Sequence, residues 1–293
     1  MLNVVILPAL ADNYMYLISD GTFAIAVDPY DAELVDAYLR YHQLRLSAIW
    51  NTHHHHDHVG GNEALVTRHP NVEVVAHESD RYRVPCATRL VAGGDRVNCF
   101  GRDTMVIHTP GHSRGGISYH IAGEAASQGV LFAGDSIFGA GCGRTLEGTA
   151  EELYDSLHNK LAAVPDETKL CYGHNYTRKN LDFCLSILPE DDRLLARSAN
   201  YDTYMKSQHE DDSISRSIAP ATNPQSDVSQ LISSLQINAP RGRHEGIEPT
   251  PTLGYERQTS LFFRVHEQEL QRSLRAISPK DAFIRLRSRR NTF

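Results

Sequence analysis

The stretch Thr52-His53-His54-His55-His56-Asp57-His58, closed by Val59-Gly60-Gly61-Asn62, constrains this chain more than any other part of it. It follows the apolar run Leu46-Ser47-Ala48-Ile49-Trp50-Asn51, which reads as a buried strand running into a loop. Within the loop stands the order His-x-His-x-Asp-His. His53 and His55 are two residues apart, so on an extended segment their rings project to the same side. Asp57 and His58 turn away with the chain towards a second point. One short loop can then serve two metal ions side by side, through imidazole nitrogens and a carboxylate oxygen of the kind zinc and similar ions accept. A purification tag lies at a terminus, and a metal-sticky low-complexity tract has no fixed order. This run is internal, interrupted by Asp57 and followed by a Gly-Gly turn, so the catalytic metal loop is the better reading.

With 293 residues the chain can bury a full core, in one large domain or two of ordinary size. Hydrophobic residues at 41% and charged residues at 22% suit a soluble globular protein, and no apolar run reaches membrane-spanning length. The first residues lack a basic region followed by a long apolar one, so no signal peptide is expected. A formal net charge of -7 argues against a nucleic-acid backbone as partner. Against that acidic balance, Arg285-Leu286-Arg287-Ser288-Arg289-Arg290 is a local cationic cluster. The five cysteines (Cys86, Cys99, Cys142, Cys171, Cys184) are scattered and form no Cys-x-x-Cys pair, as fits reduced thiols. The expectation is a cytoplasmic monomer that binds neither nucleic acid nor membrane.

Short apolar strands alternate with turns in the first half: Val4 to Leu7, Tyr14 to Ser19, Phe23 to Val27, Val72 to Ala76, Met105 to Thr109, Ser118 to Ile121 and Val130 to Ala133. Asp31 to Tyr41 carries Leu34, Val35, Tyr38 and Leu39 at a helical period with Asp31 as N-cap, and a second helix runs from Asn62 to Arg68. This mixture suggests two sheets, or one large sheet, covered by helices. From about Ala150 the character changes. Glu151 to Ala162 is amphipathic with Thr149 as cap, and Lys169 to Tyr172 reads as a strand. The pattern then turns mainly helical over Lys179 to Leu188, Asp191 to Tyr204 and a last helix near the C-terminus. Ser207 to roughly Thr252 is rich in Ser, Pro, Asp and Asn and reads as a long exposed insertion, with a helical turn or two over Val228 to Ile237. The boundary falls just after His174, dividing the chain into residues 1–175 and 176–293, the second part holding the insertion at about 207–252.

Three later turns complete the opening loop. Thr109-Pro110-Gly111-His112 places a histidine after a strand, Phe132-Ala133-Gly134-Asp135 ends a very apolar strand on an aspartate, and Tyr172-Gly173-His174 repeats the arrangement with histidine. A carboxylate at the end of such a strand is costly unless paired or metal-bound. Taken singly, each reads as a turn or cap residue. In this order, after the histidine loop, they are hard to dismiss.

His-x-His-x-Asp-His followed by Pro-Gly-His, Gly-Asp and Gly-His resembles the metallo-β-lactamase fold superfamily. Leu10-Ala11-Asp12-Asn13-Tyr14-Met15-Tyr16-Leu17, Gly141-Cys142-Gly143-Arg144, Glu147-Gly148-Thr149-Ala150 and Gly173-His174-Asn175-Tyr176-Thr177 are similar to the glyoxalase II (hydroxyacylglutathione hydrolase) family. The resemblance implies an α/β fold, an αββα metallo-β-lactamase-like sandwich followed by a mainly helical substrate-binding domain. It implies two divalent metal ions, zinc before iron or manganese. One would be held by His53, His55 and His112, the other by Asp57, His58 and His174, with Asp135 bridging. Asp57 and Asp135 are then the expected catalytic carboxylates, around a hydroxide shared by the ions that attacks a thioester carbonyl. His54 and His56 fall behind or beside the ligands. The substrate is a glutathione thioester such as S-D-lactoylglutathione, hydrolysed to D-lactate and free thiol in the last step of methylglyoxal detoxification. Its carboxylates call for cations, and the family pattern places Arg144, Tyr176, Asn180, Arg287 and Arg290 at the thiol peptide.

Three positions depart from that pattern. Asn175 replaces an expected acidic residue and so weakens support for His174. Leu146 stands where many relatives have tyrosine, and the insertion has no counterpart in the usual enzymes. They leave open a thioester of trypanothione, a larger spermidine-linked glutathione. A persulfide dioxygenase of the same superfamily, holding one iron and consuming oxygen, shares the histidine loop and Gly141 to Thr145. A metal-stabilised binding domain and a nuclease of the same fold have less in their favour, given seven competent ligand positions and the acidic balance.

Overall fold

The computed structural model describes residues 2–124, 128–215 and 251–293. Its first sheet contains β1 (Asn3–Ala9), β2 (Asn13–Ser19), β3 (Phe23–Val27), β4 (Arg45–Trp50), β5 (Glu73–His77) and β6 (Arg89–Val91), in that order across the sheet. The first three strands pair antiparallel through tight turns; from β3 to β6 the pairing is parallel. Parallel neighbours require crossovers. α1 (Ala32–Tyr41) links β3 to β4, and α2 (His56–Val59) with α3 (Asn62–Arg68) links β4 to β5. Asp31 caps α1 by accepting from the Leu34 amide at 3.0 Å.

The second sheet is built from β7 (Arg96–Cys99), β8 (Arg102–His108), β9 (Ile117–Ile121) and β10 (Val130–Gly134), with β13 (Lys169–Tyr172) on its far edge, in the order β13-β10-β9-β8-β7. A small hairpin, β11 (Ile137–Phe138) and β12 (Gly141–Cys142), follows β10. The sheets meet through aromatic rings: Tyr16 on β2 stands edge-on to Phe132 on β10 at 5.4 Å, and Trp50 on β4 stacks on Tyr119 of β9 at 4.9 Å. α1 and α3 pack together beside the first sheet; α4 (Ala150–Asp155), continued by a wide turn over Ser156–Lys160, packs by the second. This is the mixed α/β sandwich expected from the sequence. β6, β7 and the β11–β12 hairpin were not legible in the pattern. They are short, and Arg89, Arg96 and Asn98 interrupt any apolar run.

The topology delivers the site. β10 runs parallel to β13, and β8 and β10 both flank β9 antiparallel, so the C-terminal ends of β8, β10 and β13 lie on one edge. The chain leaves those ends at Thr109–His112, Asp135 and Gly173–His174.

Beyond β13 the described residues are mainly helical, with α5 (Thr177–Ile187), α6 (Asp192–Ser215), α7 (Leu253–Thr259), α8 (Gln268–Leu274) and α9 (Pro279–Arg290). Phe183, Phe262 and Phe283 are buried at the centre of this helical layer. α6 continues through Ser215, into the stretch expected to be a loop from Ser207. At the other end, Thr252 caps α7, and the Leu170 amide of β13 donates to the Pro251 carbonyl at 2.8 Å. The C-terminal flank of the expected insertion is thus tied into the fold. Val228 to Ile237 lies outside the described residues.

Candidate metal centre

The histidine loop changes conformation along its length. The chain is extended at His55, which has φ -60° and ψ 143°, and α2 begins at His56. His53 and His55 therefore share one side, while Asp57 and His58 are carried round the first turn of α2 to another. Two glycines let the other ligand loops close in. Gly134 has φ +50°, and an added Cβ would lie 2.3 Å from Thr52 Oγ1. At Gly173 it would lie 2.2 Å from Asp135 Oδ1. Any side chain at either position would push the loops apart.

Seven side chains converge as two adjoining groups. His55 Nδ1 lies 3.0 Å from His53 Nε2 and 3.0 Å from His112 Nε2. Nitrogens about 2 Å from a tetrahedral zinc ion stand about 3.3 Å from one another. In the second group Asp57 Oδ2 is 3.2 Å from His174 Nε2 and 3.7 Å from His58 Nε2. Asp135 stands between them. Its Oδ2 is 3.4 Å from both His112 Nε2 and His174 Nε2, and its Oδ1 is 3.4 Å from His58 Nε2. Both His58 Nε2 and Asp135 Oδ1 are buried without a hydrogen-bond partner among the described residues, the condition expected of atoms that face an ion. The donor set fits a pair of divalent ions.

Partners behind the rings fix which nitrogen faces inward. His112 Nδ1–H donates to the Arg144 carbonyl at 2.8 Å, and His58 Nδ1–H donates to Asp28 at 2.9 Å. Thr52 Oγ1 donates to Asp28 at 2.6 Å and so accepts from His53 Nδ1–H at 3.1 Å. His174 Nδ1–H donates to Asp12 at 3.0 Å, so the acidic support that Asn175 was expected to withhold comes from the β1–β2 turn. Asn175 Oδ1 instead accepts from the Tyr201 hydroxyl at 3.3 Å.

Charge divides the two groups. Burial, reinforced by His58 and His112, pushes His53 well below the ordinary imidazole value. Burial and His112 take His55 down to about 4. These rings are neutral and ready to ligate. Burial acts on His174 in the same direction, but Asp135, Asp57 and Asp12 outweigh it and raise the ring to about 11. His58 is raised likewise, with Asp135 and Asp28 overcoming burial. Burial pushes the Asp57 and Asp135 carboxyls upward, yet His174 and His58 hold both well below the usual carboxylate range. An arriving cation would thus replace protons in the second group.

The metallo-beta-lactamase superfamily model matches residues 12–174, and the hydroxyacylglutathione hydrolase C-terminus model matches residues 219–293. The hydroxyacylglutathione hydrolase of Cyanothece sp. is 37% identical over 289 residues, covering 98% of each chain. The chain belongs to the hydroxyacylglutathione hydrolase family. A family member from Aliivibrio fischeri is 45% identical over 196 residues, 67% of this chain and 74% of its own. Among solved structures, ETHE1 from Myxococcus xanthus aligns with a TM-score of 0.52 and 33% identity, covering 60% of this chain and 76% of that one.

Among the residues that the hydrolase pattern places at the thiol peptide, exposure differs. Arg144 is exposed and forms no ion pair among the described residues. Tyr176 stacks on His174 with centroids 4.9 Å apart and planes 4° apart, at the threshold of the metal centre. Arg290 is half-buried, its Nε donating to Asn180 Oδ1 at 3.1 Å. Asn180 and Arg287 are buried. Asn180 Nδ2 donates to the Gly139 carbonyl at 2.9 Å. Arg287 donates from Nη1 to the Cys142 carbonyl at 2.8 Å and from Nη2 to Asn291 at 3.0 Å. Both residues grip the β11–β12 hairpin from the helical side.

His54 and His56 stay out of both groups. His54 Nδ1 meets Asp80 at 3.2 Å and its Nε2 lies 3.1 Å from Arg83, while exposed His56 packs edge-on to Tyr30. The sequence reading passed over Asp28, Thr52, Asp12 and Asn13. Asp28 carries one signal of its own, a buried acid directly after an apolar strand, but its left-handed φ of 51° is visible only in three dimensions.

Proposed function

We propose that this chain hydrolyses S-D-lactoylglutathione, or a related 2-hydroxyacyl thioester, to D-lactate and free thiol with two divalent ions bound. The observation that carries the reading is Asp135, placed between two groups of ligating atoms in a member of the hydroxyacylglutathione hydrolase family. His53, His55 and His112 would hold one ion, Asp57, His58 and His174 the other, and Asp135 both. The ions supply Lewis acidity at the thioester carbonyl and acidify water enough for attack at neutral pH. Zinc suits these nitrogen and oxygen donors, with iron or manganese admitted by availability.

The chain's own residues do the rest. Asp28, Thr52, Asp12 and the Arg144 carbonyl hold the imidazoles in one tautomer and orientation, which pre-organises the site before substrate arrives. Asp57 and Asp135 keep two negative charges at the centre. A thiolate leaves without a strong general acid, and none is needed opposite the carboxylates. Arg144 and Arg290 would meet the carboxylates of the thiol peptide beside Tyr176, while Asn180 and Arg287 hold the hairpin that presents Arg144. We assign residues 1–175 to catalysis and residues 176–293 to the substrate side.

Among the described residues no helix is long and apolar enough to cross a membrane. All five cysteines are free, which supports a cytoplasmic enzyme. We take it to act as a monomer on a small molecule, with neither nucleic acid nor membrane as partner. Purified protein assayed with S-D-lactoylglutathione and with the lactoyl thioester of trypanothione, with metal content measured on the same sample, tests the proposal. Turnover of the glutathione ester that disappears on chelation is expected. Preference for the trypanothione ester would keep the chemistry and change the substrate. Bound iron with thiol-dependent oxygen uptake and no hydrolysis would replace the hydrolase by the dioxygenase.

A further inference from the structure

The turn between β1 and β2, Leu10-Ala11-Asp12-Asn13, reaches one group of ligating atoms and leaves the other untouched. Asn13 Nδ2 donates to Asp57 Oδ2 at 3.0 Å and to the Asp57 carbonyl at 3.3 Å. The adjacent Asp12 accepts from His174 Nδ1–H at 3.0 Å. We propose that Asp12 and Asn13 are positioning residues that hold Asp57 and His174 on the second ion and set how long that ion is retained, independently of the first.

The proposal rests on the two-ion reading and adds to it a division of labour. The backbone makes the turn a bracket. The Tyr14 amide donates to the Gly173 carbonyl at 2.8 Å, and the Asn175 amide donates to the Asp12 carbonyl at 2.8 Å, so the chain on either side of His174 is fastened to the turn. Leu10 is held at φ 50°, a left-handed conformation uncommon for leucine, with its side chain 60% exposed. The turn is therefore fixed by its contacts and not by burial of its tip.

Asp57 needs such a hold. It lies in the first turn of a helix only four residues long, its side chain is 32% exposed, and Asn13 is its one neutral side-chain donor among the described residues. The amide meets Oδ2, the oxygen that also faces His58 and His174, and so aims it at the second group. Behind His174, the Asp12 carboxylate keeps the proton on Nδ1 and leaves Nε2 as the ligating atom. The first group is supported elsewhere, by Thr52 behind His53 and the Arg144 carbonyl behind His112.

Zinc-loaded protein, exposed to a chelator, should release its ions in two phases. Asp12→Ala and Asn13→Ala should each accelerate one phase by about ten- to a hundredfold, the usual cost of losing a partner behind a ligand, and leave the other unchanged. Asp12→Asn, which keeps an acceptor without the charge, should fall between. Equal acceleration of both phases, or release indistinguishable from the parent, would overturn the proposal. A parent that holds one zinc per chain would overturn the two-ion reading and this proposal with it. Asn13 is buried, so melting of the metal-free variants is followed alongside. Asp12→Ala, at a partly exposed side chain, carries the test alone where Asn13→Ala does not fold.

Discussion

Asp135 ends a strand that is buried over Leu131–Gly134, and it keeps its charge there because histidines from three separate loops surround it. A residue that faces both groups should be lost from both at once. Asp135→Asn is expected to drop metal content from two ions per chain to less than one and to lower kcat by more than about a hundredfold, beyond the usual cost of losing a partner behind a ligand. Full occupancy with only a slower rate would show that Asp135 does not bridge. Arg290 makes the opposite kind of prediction. It is half-buried, and as a residue expected at the thiol peptide and not at the ligating atoms it predicts that Arg290→Glu should raise KM by about ten- to a hundredfold, the worth of a charge-assisted hydrogen bond, with kcat little changed. An unchanged KM would remove it from the site.

At the scale of elements, local chemistry sets where helices start. Thr149 Oγ1 accepts from the Glu152 amide at 3.1 Å while Glu152 accepts from the Thr149 amide at 2.8 Å, a capping box that begins α4. Thr149→Ala should cost about 1 kcal/mol, read as a lower urea midpoint at constant slope. Charge fastens the ends of other helices. Arg264 is buried and donates from Nε to Glu267 at 3.1 Å and from Nη1 to Asp191 at 3.2 Å, joining the start of α6 to the start of α8. Burial pushes both carboxyls up, but the guanidinium outweighs it and holds each below its ordinary value. A depressed folded-state pKa contributes stability above the unfolded value, about 4 for these groups, that is lost as pH falls through the folded value. Urea titrations from pH 6 down to about 2 should show Arg264→Leu losing less stability on acidification than the parent. Parallel profiles would assign the acid sensitivity elsewhere.

Across the whole molecule, the helical layer holds the sandwich by its β11–β12 hairpin. Buried Glu256 on α7 pairs with Arg197 of α6 and accepts from the Ala140 amide at 3.0 Å, and Arg287 on α9 donates to the Cys142 carbonyl beside it. The same strip of chain carries Arg144, whose carbonyl backs His112. Arg287→Ala would leave the Cys142 carbonyl unsatisfied, so a loss of about 1–3 kcal/mol is expected together with a raised KM. Arg290→Glu should raise KM with a smaller loss of stability, since it gives up a half-buried side chain and one hydrogen bond to Asn180 where Arg287→Ala gives up a buried guanidinium, and comparing urea midpoints of the two variants checks the difference. Seven converging ligand positions, the helix caps at Asp31 and Thr149 and most strands could be read from the sequence, because residue type, spacing and hydrophobic period act locally along the chain. Short polar strands such as β7 carry too little pattern to stand out. The roles of Asp12, Asp28 and Asn13 depend on partners 162, 30 and 44 residues away, and nothing in their own neighbourhood names those partners. The burial of Arg287 could not be foreseen either, since an arginine in a basic tail and one donating to a buried carbonyl look alike until the helix is docked. Residue type and spacing set which side chains can ligate and at which turns they stand. Which ring nitrogen faces inward, and which side chains hold it there, is settled by packing, because a hydrogen bond across sheets does not follow from spacing along the chain.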